Sequence, residues 1–153
     1  MKEILWRHRF KITRVAFTLL FIIVTTLQVF SFPGQFSHMR RASGISLIIE
    51  LALTLLFGIW MLCAQTAIFA LWKIIGFMEK DMFFTHSSLR WIDRLVTALK
   101  TAVIVPALLF LTLASEADDP GFFVLLSAIG LFLFSLAIIS VLFREQIRSR
   151  LVM

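Results

Sequence analysis

Four long apolar runs, separated by short polar segments, organise the chain. The runs occupy residues 15–32, 45–72, 95–115 and 122–143. Each is long enough for a helix to cross the hydrocarbon core of a bilayer, which takes about 20 residues. The pattern predicts an all-α integral membrane protein, a four-transmembrane-helix bundle that forms a single membrane domain over residues 1–153.

The polar segments predict how the spans are connected. Residues 33–44 and 116–121 are expected to be short outer loops, and the first opens with the turn signal Pro33-Gly34. Residues 73–94 are expected to be a longer cytoplasmic loop.

An amphipathic pattern marks the approach to the third span. Apolar residues recur there at three- and four-residue steps: Leu89, Ile92, Leu95, Val96 and Leu99. This spacing predicts an amphipathic cytoplasmic helix over residues 86–99 that lies in the membrane interface and runs into the third span without a break. The hydroxyls available to cap its start are those of Thr85, Ser87 and Ser88.

Composition and charge agree with four spans and orient them. Sixty per cent of the residues are hydrophobic and 16% are charged, which excludes a soluble domain, a disordered chain and an ordinary nucleic-acid-binding domain. Five Lys or Arg residues precede the first span, four lie in residues 73–94 and three in the tail, whereas the outer loops hold two. The positive-inside rule therefore predicts cytoplasmic N- and C-termini.

The basic N-terminal segment leaves one alternative open. A basic start before an apolar run is also the pattern of a signal peptide. The uncharged run over residues 15–32 is longer than an ordinary signal core, and we expect a retained first span.

The candidate functional polar residues inside the predicted spans are the two charged residues, Glu50 and Lys100, together with Gln65. Because charges inside a membrane are costly and often functional, these residues could line a path for an ion or contact a partner helix. The alternative roles are structural. Glu50 would stay near the outer surface beside Arg40 or Arg41. Lys100 would extend to the cytoplasmic headgroups, and Gln65 would form a hydrogen bond between helices.

Two other groups of residues are candidates for binding. The amphipathic segment offers a surface for a protein partner, with the candidate contacts Leu89, Arg90, Trp91, Ile92 and Arg94. In the outer acidic turn, Asp118 and Asp119 could hold a divalent cation weakly, or they could form a solvated hairpin with Pro120-Gly121.

No catalytic motif appears in the sequence. No cluster of His, Cys, Asp and Glu has metal-ligand spacing, and neither a glycine-rich phosphate loop nor a nucleophile motif occurs. The three histidines lie outside the predicted spans, which weighs against haem ligation inside the membrane. We therefore expect no enzyme, no cofactor and no direct binding of nucleic acid.

Two stretches resemble a known family of four-span bacterial membrane proteins. In residues 64–102, an apolar helix end leads through a polar turn to Phe84-Thr85 and a Leu-rich helix. In residues 115–143, Asp118-Asp119 directly precedes Pro120-Gly121, whereas the family tends to carry a small residue between these pairs. Over roughly residues 10–148, the chain resembles domain-of-unknown-function family 2975.

The resemblance implies a multi-pass protein of the bacterial plasma membrane with no assigned activity. Members of the family are often encoded beside a small helix-turn-helix regulator, which implies a regulatory pairing. Together with the residues above, this favours a non-enzymatic protein that binds a partner through its cytoplasmic loop. Two alternatives stay open. One is a subunit of a small transporter or channel, which would need a homo-oligomer because four spans make a thin pore wall. The other is an immunity-type protein against a membrane-active peptide.

Overall fold

The computed structural model describes residues 2–44, 46–113 and 120–152, and this part of the chain is almost entirely helical. Here α-helices follow one another, with a π-helical turn, Leu27–Ser31, between the first two. The bounds are α1 Lys2–Thr26, α2 Phe32–Ser43, α3 Leu47–Glu79, α4 His86–Leu113 and α5 Pro120–Val152. The all-α prediction is confirmed.

Helical stretches long and apolar enough to cross a membrane overlap each predicted span. Among the described residues they are His8–Ala42, Leu47–Glu79, His86–Leu111 and Gly121–Leu151. At 1.5 Å per residue, the 33-residue α3 is about 50 Å long, which exceeds the roughly 30 Å hydrocarbon core. This helix is therefore longer than the membrane core requires, and it continues to Glu79, beyond the apolar run over residues 45–72.

The first connection is helical, so the predicted outer loop over residues 33–44 is wrong. The π-helical turn joins α1 directly to α2, and Pro33 lies in the first turn of α2. Proline is tolerated at the start of a helix because the N–H it lacks has no helical partner there. The chain turns later, at Gly44, whose φ of 67° suits glycine and whose N–H donates to the Arg40 carbonyl at 3.1 Å.

The second connection is much shorter than the predicted loop over residues 73–94. Because α3 continues to Glu79, only residues 80–85 separate it from α4. The Oγ1 atom of Thr85 accepts a hydrogen bond from the Ser88 N–H at 3.3 Å, so Thr85 caps α4 as one of the three expected residues. Residues 86–99 and the third span lie in one unbroken helix, which confirms that the two are continuous.

The third connection, residues 114–119, lies outside the described residues. The predicted acidic turn with Asp118 and Asp119 falls in it.

The helices pack in the order α1, α3, α4 and α5, and α2 packs on α3. Within the described ranges, no backbone approach within 8 Å joins α1 to α4 or α5. The described helices therefore form an open row with α3 and α4 inside, and the four-helix bundle predicted from the sequence is not confirmed.

Two hydrophobic clusters hold the row together. Toward one end lie Phe36, Leu53, Val105, Leu109 and Leu126, contributed by α2, α3, α4 and α5. Toward the other end lie Ile74, Ile92, Val96 and Ile147, from the last part of α3, the first part of α4 and the last part of α5. We call this second end the basic end. This cluster packs α3, α4 and α5 together in the part of the chain that lies outside or at the ends of the apolar runs, where charged residues are frequent.

Candidate functional site

Among the described residues, two ion pairs join different helices at the basic end. Arg14 Nη2 lies 3.0 Å from Glu79 Oε2 and joins α1 to α3. Arg144 Nη1 lies 3.8 Å from Asp93 Oδ1 and joins α5 to α4. Through these two ion pairs, Arg14 of α1 and Arg144 of α5 lie at the same end of the row as the connection between α3 and α4.

Three aromatic rings surround the ammonium group of Lys73. Its Nζ lies 5.4 Å from the ring centroids of Phe69 and Trp72 and 5.7 Å from that of Trp91. Phe69 and Trp91 meet edge to face at 5.4 Å, and the Arg94 guanidinium lies 4.3 Å from the Trp91 ring. Each such cation–π contact stabilises by about 0.5–2 kcal/mol, depending on its exposure to water. We call Lys73 and these three rings the aromatic cluster.

The sequence did not predict this cluster, although Trp72 ends the second apolar run and Lys73 begins the predicted loop. Phe69 carried no signal of its own because it is one of many phenylalanines in an apolar helix. The contact with Trp91 depends on how α3 and α4 are aligned, which the spacing within either helix does not reveal.

The structure divides the five predicted partner contacts between two sides of α4. Ile92 is only 1% exposed and packs in the cluster of the basic end, while Leu89 and Trp91 are half-buried against that cluster. Arg90 and Arg94 are exposed. The prediction that Ile92 faces a partner is therefore wrong, because the protein's own helices α3 and α5 cover the apolar side of α4.

The exposed side of α4 is polar over three helical turns. It carries Arg90, Asp93, Arg94, Thr97, Lys100 and Thr101, which we call the polar face. The threonine hydroxyls donate to carbonyls of the same helix, at 2.9 Å for Thr97 and 3.0 Å for Thr101. A groove of about 400 Å³ lies beside this face, between α3 and α4, and Cys63 and Thr66 form part of its α3 wall.

Two of the three candidate polar residues of the spans have partners within the fold. Glu50 forms an ion pair with Arg40, and the Nε2 atom of Gln65 donates to Thr25 Oγ1 at 3.0 Å, which links α3 to α1. These contacts are the ones that the structural alternatives named: an arginine beside Glu50 and an interhelical hydrogen bond at Gln65.

Lys100 has a different environment. Its side chain is exposed and lines an apolar groove of about 300 Å³ between α4 and α5, with Val103, Phe134 and Ala137 among the other lining residues. In the part of the chain that the structure describes, Lys100 forms no ion pair.

The described residues contain no candidate metal site. Among them, no three His, Cys, Asp or Glu side chains lie close enough together to hold a metal ion.

Comparison with known proteins supports the family resemblance. No curated protein and no solved structure matches the chain. The model of the family described as "Protein of unknown function (DUF2975)" matches residues 15–149, a range that includes most of each of the four spanning helices. This match extends over most of the chain, and the described residues form helices suited to a membrane. The chain is therefore a member of the DUF2975 family.

Proposed function

We propose that the chain is a non-enzymatic membrane protein that binds a protein partner through the part of the polar face nearest the basic end. One observation carries the proposal. Arg90 and Arg94 are exposed, four residues apart on one helix, and neither forms an ion pair with a described residue. Guanidinium groups bind carboxylates through two parallel hydrogen bonds, so the partner is expected to present an acidic surface.

The packing of α4 supports this role because it fixes the side of the helix on which the two arginines lie. Ile92 and Val96 are buried on the opposite side of the same turns, at 1% and 2% exposure, which fixes the rotation of the helix. Arg94 is also held against the Trp91 ring. A surface that is ordered before binding loses little conformational freedom when a partner arrives.

We place the basic end in the cytoplasm of a bacterial cell, with both termini on that side of the plasma membrane. The support is the charge distribution, since Lys and Arg residues accumulate on the cytoplasmic side of membrane spans. The connection over residues 80–85 and the start of α4 would then face cytoplasmic proteins. The family resemblance suggests a small helix-turn-helix regulator as the partner.

Charge reversal tests the proposal. We expect the double variant R90E/R94E to lose the partner that co-purifies with the wild-type chain from its native membranes, because four units of charge change at the contact. The matched control is R148E, which reverses an exposed arginine of α5 at the same end. If R90E/R94E retains the partner, or if R148E loses it equally, the polar face is not the binding surface.

A transporter or channel subunit is the second candidate, and Lys100 favours it. This lysine faces an apolar groove without an ion-pair partner among the described residues, and the open row would let further copies complete a pore. Flux of small ions through liposomes that contain the wild-type chain, abolished by K100L, would support transport. Absence of flux at every oligomeric state would exclude it. For the immunity-type alternative, no described residue offers specific support.

A further inference from the structure

We propose that the basic end binds one anionic phospholipid, with the headgroup phosphate at Lys73 and an acyl chain in the groove between α1 and α3. This site is distinct from the polar face of α4 and does not depend on the protein partner proposed above.

The groove is an apolar slot of about 270 Å³. Phe17, Phe21 and Ile22 line it from α1, and Ile68, Phe69 and Trp72 line it from α3. The one hydroxyl in its wall, that of Thr18, donates to the Arg14 carbonyl at 2.9 Å. The slot therefore offers no polar group that a peptide backbone or a polar ligand could bind, whereas a hydrocarbon chain fits its chemistry.

Two cationic side chains, Lys73 and Arg14, lie beside the part of this slot nearest the basic end. Phe69 and Trp72 line the slot, and both rings contact the ammonium group of Lys73 at 5.4 Å. The guanidinium of Arg14 lies 5.4 Å from the Trp72 ring. These three environments match the parts of an anionic phospholipid in order. The apolar slot matches the acyl chain, the tryptophan matches the interfacial region, and the cations match the phosphate.

The charge balance selects an anionic headgroup. Arg14 has a carboxylate partner, Glu79, at 3.0 Å. Lys73 is half-buried among the rings and has no carboxylate partner among the described residues. The two cations and one anion leave one positive charge at the mouth of the slot. A lipid of net negative charge would neutralise it, and one surface lysine contributes about 1 kcal/mol to such an attraction.

Native mass spectrometry of the full chain in detergent tests the headgroup contact. The protein is offered equal amounts of phosphatidylglycerol and phosphatidylcholine with identical acyl chains. We expect the wild type to retain phosphatidylglycerol about five-fold more strongly, which corresponds to that attraction. K73Q should abolish the preference, and K73R should keep it. The control K80Q, which removes an exposed lysine of the α3–α4 connection, should also keep it.

A second pair of variants tests the groove. I22W would fill the slot, whereas I23W adds the same bulk at the next residue, which is exposed and does not line it. We expect I22W to lose retention of both lipids by about five-fold or more and I23W to behave as the wild type. Inorganic phosphate added as a competitor should leave retention unchanged, because it lacks an acyl chain. Lack of preference in the wild type, equal preference in K73Q, displacement by phosphate, or full retention by I22W would each overturn the proposal.

Discussion

The guanidinium of Arg14 occupies the space that a side chain at residue 76 would need. A Cβ atom placed on Gly76 would lie 2.6 Å from Arg14 Nη2, the same nitrogen that is 3.0 Å from Glu79 Oε2. The glycine therefore lets α1, the first spanning helix, pack closely on α3, the second, with an ion pair between them. Since Arg14 also contacts Trp72, this approach helps to shape the mouth of the groove between α1 and α3.

Alanine substitutions at two glycines of α3 should have different effects. G58A meets nothing within 4 Å and should raise the free energy of unfolding by about 0.5–1 kcal/mol, because alanine favours helix. G76A should lose that gain, because the guanidinium must move and the partly exposed ion pair, with about 1 kcal/mol at most, is broken. Reversible unfolding in detergent measures both. The difference between the two variants should shrink in an E79Q background, and an undiminished difference would contradict the role of the ion pair.

The hydrogen bond between Gln65 and Thr25 should stabilise the packing of α1 on α3. Hydrogen bonds between membrane helices contribute about 0.6 kcal/mol on average and about 1.7 kcal/mol at most. We expect a double-mutant cycle of Q65L and T25V to give a coupling energy in this range. The control is T26V, whose hydroxyl donates within its own helix to the Ile22 carbonyl. A coupling energy with T26V as large as that with T25V would show that the effect is not the interhelical bond.

Removing the buried side chain of Ile92 should destabilise the basic end. Because Ile92 is 1% exposed among Ile74, Val96 and Ile147, I92A creates a cavity, and the cost is expected to be about 2 kcal/mol or more. The same change at Ile104, which is 56% exposed on α4, should cost much less. Equal loss of unfolding free energy in I92A and I104A would mean that Ile92 is not packed as described.

The ion pair between Arg40 and Glu50 should hold α2 on α3. E50Q is expected to speed hydrogen exchange of the α2 backbone several-fold, because Glu50 is mostly buried and Arg40 loses its charged partner. R41Q, which removes an exposed arginine next to Arg40, serves as the control and should leave exchange unchanged. Unchanged exchange in E50Q would show that α2 is held by its apolar contacts alone.

Features encoded within a short segment could be predicted from the sequence. The apolar runs indicated the spanning helices. The cap of α4 was among three candidate hydroxyls, and the structure selects Thr85. The ion pair of Glu50 was one alternative with two possible arginines, and the structure selects Arg40. The Pro33-Gly34 pair misled the prediction because proline fits the first turn of a helix as well as a turn between elements. The pair is consistent with both structures, and only the folded chain shows that the helix continues.

Features that depend on alignment between helices could not be predicted. The three- and four-residue spacing identified the apolar side of α4 correctly. It did not reveal whether a partner or the protein itself covers that side, and in the structure α3 and α5 cover Ile92. The aromatic cluster requires Phe69 of α3 and Trp91 of α4 to lie at the same height along the two packed helices. The spacing of residues along each helix contains no information about that level.

The most direct test of the proposed partner surface is site-specific photocrosslinking in native membranes. A photoreactive phenylalanine analogue is placed at residue 86, which is exposed on α4 one helical turn before Arg90, or at residue 148, on the exposed side of α5. With both arginines of α4 intact, we expect one discrete protein adduct from residue 86, lost in R90E/R94E, and no such adduct from residue 148. No adduct from residue 86, or the same adduct from both positions, would contradict the proposed partner surface.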